Sequence, residues 1–194
     1  MKNIIAKIFT TILIGMGAFL DAQTINRYGT TTANFLEIGV GSRATSMGDA
    51  YVAVANDVSS IYWNPAGLAH VTRSSALFSI QPWLVDIDMM FAGGAFVVPS
   101  LGVIGLGITH LDYGEMDVTN LQYQDGTGER FGASDVAATF TFSRKIVSWF
   151  SFGSSMKYIS SKIWHSSASA FAVDLGVLVN TNFFSFTGKD KDGM

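Results

Sequence analysis

The chain has 194 residues, a net charge of −3, 14% charged residues and no cysteine. Its length suits one domain of ~100–200 residues, and its charge content lies well under the ~25% of an average soluble domain. No basic field draws nucleic acid, and disulfides, thiolate metal sites and cysteine nucleophiles are excluded. Aromatics at 13% and 20 glycines do not fit a disordered composition.

Residues 1–22 read as a signal peptide. Lys2 and Lys7 precede an apolar run from Ile8 to Leu20, and Asp21-Ala22 supplies a small residue before a cut after Ala22. The run is shorter than the ~20 apolar residues of a spanning helix. No later segment is long and apolar enough for one, so the expectation is export.

Residues 23–73 read as an N-terminal arm followed by a compact plug, or hatch. Gln23 to Asn34 is polar and threonine-rich, and Ser42 to Ala69 is dense in small residues. Gly39 to Ala44 matches the loose G-x-G-x-x-A pattern, but no βαβ unit surrounds it, and a dinucleotide site needs one. A short helix or helix–turn is expected from Ala50–Ala55 and Val58–Tyr62, with Asp57, Ser59 and Ser60 as capping oxygens. Asn64-Pro65 should break it, because proline lacks an N–H and restricts its predecessor. The block Asn64-Pro65-Ala66-Gly67 is the expected structural and gating motif of the hatch.

Residues 74–194 turn to a period of two. In Ser134–Ile146, Val136, Ala138, Phe140 and Phe142 alternate with Asp135, Ala137, Thr139, Thr141 and Ser143. Phe152, Met156 and Tyr158 alternate with Ser151, Gly153, Ser155 and Lys157. Phe171, Val173, Leu175 and Val177 alternate with Ala172, Asp174 and Gly176. Successive strand residues point to opposite faces, so each block has one apolar and one small or polar face, as in a lipid-out, lumen-in membrane barrel. Noisier blocks occupy Ala76–Leu84, Ile87–Val98 and Leu101–Tyr113. Aromatics near block ends (Trp83, Tyr113, Trp149, Tyr158, Trp164 and Phe183) fit interfacial girdles. On this reading Asp135, Lys157 and Asp174 are lumen-facing polar residues. The alternative is a soluble secreted β-sandwich, which also alternates.

A long acidic loop is expected from Asp112 to Arg130, with short turns at Pro99-Ser100 and Arg144-Lys145. Asp125 and Glu129 lack the ligand count of a calcium loop. His70, His110 and His165 show no zinc-site spacing, and no nucleophile elbow or P-loop occurs. His110 with Asp112, and Asp86 with Asp88, share strand faces without an acid–base arrangement. No enzyme, metal site or cofactor is expected.

Phe35–Ala44, Met47–Ala53 and Tyr62–Ala69, with Leu111–Met116, Ala133–Asp135, Lys157–Ile159, Lys162–Trp164 and Phe171–Gly176, resemble the PorV/PorQ family of FadL-like outer-membrane barrels. The resemblance covers most of the chain after residue 22. It implies a fourteen-stranded barrel with a lumenal hatch, located in the outer membrane and contacting its lipid. It also implies a type IX secretion role, with the translocon and its cargo proteins as partners. The FadL branch implies the alternative of hydrophobic small-molecule transport, with a hydrophobic ligand. The family continues beyond the last residue here, so the expected fold is an all-β barrel of this type, incomplete at about six strands.

Overall fold

The structure, a computed structural model, describes residues 33–84 and 87–180. The expectations for the signal segment, the arm up to residue 32, Asp86, Phe183 and the tail beyond it lie outside those residues.

Six strands follow one another: β1 (Ser75–Pro82), β2 (Asp88–Val98), β3 (Gly102–Asp117), β4 (Arg130–Val147), β5 (Phe150–Ile163) and β6 (Ser166–Val179). They form one sheet in the order β1-β2-β3-β4-β5-β6, with every neighbouring pair antiparallel. The domain is all-β, and the described sheet does not close on itself. Among the described residues no helix is long and apolar enough to cross a membrane, which says nothing about strands.

The register aligns side chains in rows across the sheet. One row joins Phe78, Ala92, Ile108, Ala138, Tyr158 and Phe171. Every member lies on the face turned away from residues 34–70, and that face is bare: Leu106 is 50% exposed, Phe140 51% and Leu175 73%. The opposite face carries small and hydroxyl residues along β4 and β5, while β2 and β3 turn Met89, Phe91, Val103 and Leu111 to it. Thr141, Ser143, Ser151 and Ser155 are fully buried there. The polarity is therefore inverted relative to a soluble sandwich, which packs its large apolar side chains between two sheets.

The hatch lies on the small-residue face. It begins with a 3₁₀ turn at Asn34–Glu37 and a short helix α1 (Ser42–Thr45). A run of turns over residues 46–54 leads to α2 (Ser60–Trp63), and a second 3₁₀ helix, Pro65–His70, follows. The helix expected over Ala50–Ala55 is absent. Asp49 sits at φ 64°, in the left-handed region, so its chain reverses locally. Asp57 takes the expected role before α2, its carboxylate accepting from the Ser59 N–H at 2.8 Å and from the Ser59 hydroxyl. Buried Phe35, Val58, Ile61 and Leu68 join Met89, Phe91, Val103 and Leu111 of the sheet in one core.

Two other expectations are corrected. The acidic loop is shorter than Asp112–Arg130, because β3 runs on to Asp117 and only residues 118–129 connect the strands. Arg130 draws the hairpin out: its Nη1 lies 2.9 Å from Glu115 Oε2 and its Nε 3.2 Å from Asp117 Oδ1. A one-residue bulge between Asp112 and Glu115 absorbs the extra twist, with Gly114 at φ 70°. Tyr158 is not at a strand end. It sits mid-way along β5 and packs on Phe171 of β6 with ring centroids 5.1 Å apart.

These ion pairs are more than half exposed, so they hold local geometry more than global stability. Arg130→Gln is expected to change the unfolding free energy by less than about 1 kcal/mol. Amide exchange at Met116 to Val118 should rise clearly above wild type. Unchanged exchange there would show that the hairpin extends without Arg130.

Candidate functional site: the hatch and its seat

Each residue of Asn64-Pro65-Ala66-Gly67 has a distinct physical task. Asn64 leaves helical geometry (φ −155°, ψ 108°) and ends α2. Its side-chain oxygen accepts from the Ala66 N–H at 3.0 Å, capping the next helix. Its amide donates to Val52 O at 3.0 Å and Val177 O at 3.3 Å, tying the hatch loop and strand β6 together. Pro65 takes the first helical position, where its missing N–H costs nothing. Ala66 is fully buried. Gly67 lies so close to the Ala55 carbonyl and the Ser60 hydroxyl that a Cβ would overlap both.

The seat for this motif is made from glycines of the wall. A Cβ on Gly153 of β5 would run into the backbone of Pro65 and Ala66. One on Gly176 of β6 would meet Asn64 Oδ1 and the Pro65 ring. On β3, Gly105 receives Ile61 and Leu68, and Gly107 receives Ile61. Hydroxyls fill the remaining contacts. Thr141 Oγ1 and Ser155 Oγ are 2.8 Å apart, and Ser143 Oγ lies 3.3 Å from the Ala66 carbonyl. The motif was legible in sequence, but its seat was not. The available signal was glycine at inward-facing strand positions, the same parity as Thr141 and Ser155.

Aromatic side chains close the hatch on itself. The Trp63 indole donates to Val40 O at 2.9 Å, and the Tyr62 hydroxyl sits between the carbonyls of Leu36 and Ile38. Trp63 meets both Tyr51 and Tyr62 edge-on. Burial, reinforced by Asp49 and Glu37, pushes the Tyr62 phenol well above its ordinary range, so it stays a neutral donor. The Ser60 hydroxyl is a buried polar group without a partner among the described residues.

Asp135, Lys157 and Asp174 all lie on the hatch-facing side of the sheet, but the structure does not bring the three together. Asp135 is buried and accepts from the Tyr113 hydroxyl at 2.8 Å. Lys157 and Asp174 form an ion pair at 2.7 Å beside Asn64 and Pro65. His110 and Asp112 fall on the opposite face. Among the described residues no three His, Cys, Asp or Glu side chains gather as metal ligands. The arrangement is one of packing, and the Ser151 hydroxyl that meets His70 Nε2 at 3.2 Å is itself fully buried under the hatch.

Two perturbations follow. Gly153→Val should destabilise the protein by about 3 kcal/mol, because the clash is with backbone that cannot rotate away. The control Ser154→Val, on the bare face, should stay within about 0.5 kcal/mol. Equal urea midpoints for the two would remove the seat. In the ion pair the Lys157 side chain is 14% exposed and Asp174 39%. Asp174→Leu, which strands the more buried charge, should therefore cost more than Lys157→Met. The double variant should recover about 1–3 kcal/mol relative to the sum. Additive costs would mean that the pair is uncoupled.

Comparison with known proteins gives one family and no curated relative. The search of curated proteins returns no match. The family model described as Type IX secretion system protein PorV matches residues 21–193, which takes in the hatch and all six strands. The chain belongs to the PorV family, whose members are non-enzymatic structural and transport components associated generally with type IX secretion and the outer membrane.

Proposed function

We propose that this chain forms outer-membrane barrel wall around an N-terminal hatch and serves type IX secretion by handling cargo at the cell surface. On this reading residues 1–22 are the export signal, residues 23–73 the arm and hatch, and residues 74–194 wall. The carrying observation is the sheet's outer face: bulky apolar side chains are bare across all six strands there, while the other face is covered by the hatch, with hydroxyls such as Thr141, Ser143, Ser151 and Ser155 buried beneath it.

The dimensions of the bare face agree. In β4 the outward Val136, Ala138, Phe140 and Phe142 are bracketed by Ser134 and Arg144. Ten steps of ~3.3 Å at a ~40° tilt span roughly 25 Å, the height of the apolar band of an outer-membrane barrel. Ser134 is in register with Asp112 and Lys162, and Asp112 with Asp88, so polar side chains line one border. The acidic hairpin of residues 118–129 extends beyond that border. Short turns lie at the other end, at Pro99-Ser100 and at residues 148–149 rather than at Arg144-Lys145 as expected, because β4 runs on to Val147 and takes those two basic residues into the strand. This asymmetry supports a reading with the hairpin outside the cell and the short turns in the periplasm. The hatch fills the lumen side and leaves cargo work to exposed loops rather than to a reaction centre.

The absence of cysteine allows a direct test. With the full-length protein in cells, Leu121→Cys should react with a membrane-impermeant maleimide, and Ser100→Cys only after lysis. Deleting the gene should leave proteins that carry the type IX signal in the periplasm. Reaction at both positions in intact cells, or recovery in the soluble fraction, would overturn the membrane placement. Undiminished cargo secretion in the deletion strain would overturn the secretion role.

A further inference from the structure

A cavity lies where the hatch meets the short-turn end of the sheet. It has a volume of about 340 Å³ and lies between the α1 loop, the end of the 3₁₀ helix and the last residues of β6. Its polar lining is donor-rich: Arg43, Asn56, His70 and Asn180, with no Asp or Glu among the lining residues. Asn56 turns its side-chain oxygen to Arg43 Nη1 at 3.1 Å, which leaves its NH₂ as the free end. The rest of the lining is aliphatic, including Val54, Leu178 and Val179.

The charge on this lining is poorly met from within. Arg43 stands over the Tyr51 ring and reaches Asp57 only at 3.8 Å. Asp57 is already occupied, accepting from the Tyr51 hydroxyl, the Ser59 N–H and the Ser59 hydroxyl. His70 Nε2 lies 3.2 Å from the Ser151 hydroxyl of β5. The charged groups around His70 are Lys145 from β4, Arg43 across the cavity, and Arg73 and Asp57 on its other side. Burial, with Lys145 adding to it, lowers the His70 pKa below its ordinary value. The imidazole therefore waits neutral in a field that an anion would reverse.

We propose that this cavity binds a carboxylate carried on a short aliphatic group, with Arg43 as the planar fork and His70 as the second donor. A guanidinium matches a carboxylate with two parallel hydrogen bonds. The aliphatic lining selects a small apolar attachment over a bare anion. Because His70 also contacts Ser151, occupancy draws the hatch and wall together at this seam. The site rests on hatch geometry alone and stands or falls independently of the secretion role.

The test is an NMR titration of the imidazoles in the full-length protein in detergent micelles, with His70 assigned by its loss in His70→Gln. N-acetyl-L-valine is the probe, and N-acetyl-L-valinamide and inorganic phosphate are the comparisons. N-acetylvaline should raise the His70 pKa by about one unit. Arg43→Gln should weaken binding about tenfold or more, and Arg43→Lys should fall between it and wild type. The neutral amide should do nothing. No shift with N-acetylvaline, an equal shift with the amide, or an equal shift with phosphate would each overturn the proposal. Should Arg43→Gln fail to fold, the wild-type titration with its two comparisons decides alone.

Discussion

The close approach of the Pro65-Ala66 backbone to Gly153, and of the Asn64 side chain and the Pro65 ring to Gly176, constrains the rest of the structure. Backbone can lie against backbone only where no Cβ intervenes, and the rigid proline ring leaves no more room, so these two positions have space for glycine alone. Neighbouring inward positions can hold little more than a hydroxyl, and Thr141, Ser143, Ser151 and Ser155 occupy them. Around this seat on β4 and β5 the bulky apolar side chains, such as Phe140, Phe152 and Met156, lie on the other face. The inverted polarity of the sheet and the tight seating of the hatch are one arrangement seen from two sides.

Cohesion within the hatch comes from few, well-placed polar contacts. Its helices are too short to be stable by themselves. Asn64, Tyr62 and Trp63 instead reach across to carbonyls of the preceding loops, each bond worth about 1 kcal/mol net and more when its loss strands a buried group. The Lys157–Asp174 pair stands next to this network. Its contribution is mainly to avoid a lone buried charge, since desolvation cancels much of the attraction. A segment held this way is fixed firmly where it meets the sheet and tied at few points elsewhere.

Charge is partitioned along the strands. Glu115, Asp117, Asp125 and Glu129 cluster around the long hairpin, with Arg130 bracing it. Arg43, Arg73, Arg144 and Lys145 gather near the short turns and the hatch seam. The middle of the bare face carries almost no charge. This is the distribution expected when hydrocarbon covers the middle and two different aqueous compartments cover the ends. It agrees with membership of a family associated with the outer membrane.

The sequence by itself determined the period of two, the membership of each strand face, the break at Asn64-Pro65 and the family. These are local properties, readable over a few residues. Parity shows that two faces differ, but not what covers each. That Thr141 and Ser155 are buried while Phe140 and Met156 are bare was decided by the hatch docking on one side. The glycine seat joins residue 65 to residues 153 and 176, a long-range contact that no local pattern encodes. Asp135 and the Lys157–Asp174 pair share a face by parity, yet only register shows that they are separate sites. The hairpin length likewise depended on Arg130 meeting Glu115 and Asp117 across the strands. Asn64-Pro65-Ala66-Gly67 could be located from sequence because its turn chemistry is local. The reason each of its residues must be what it is lies in the tertiary structure, because that reason is the wall it touches.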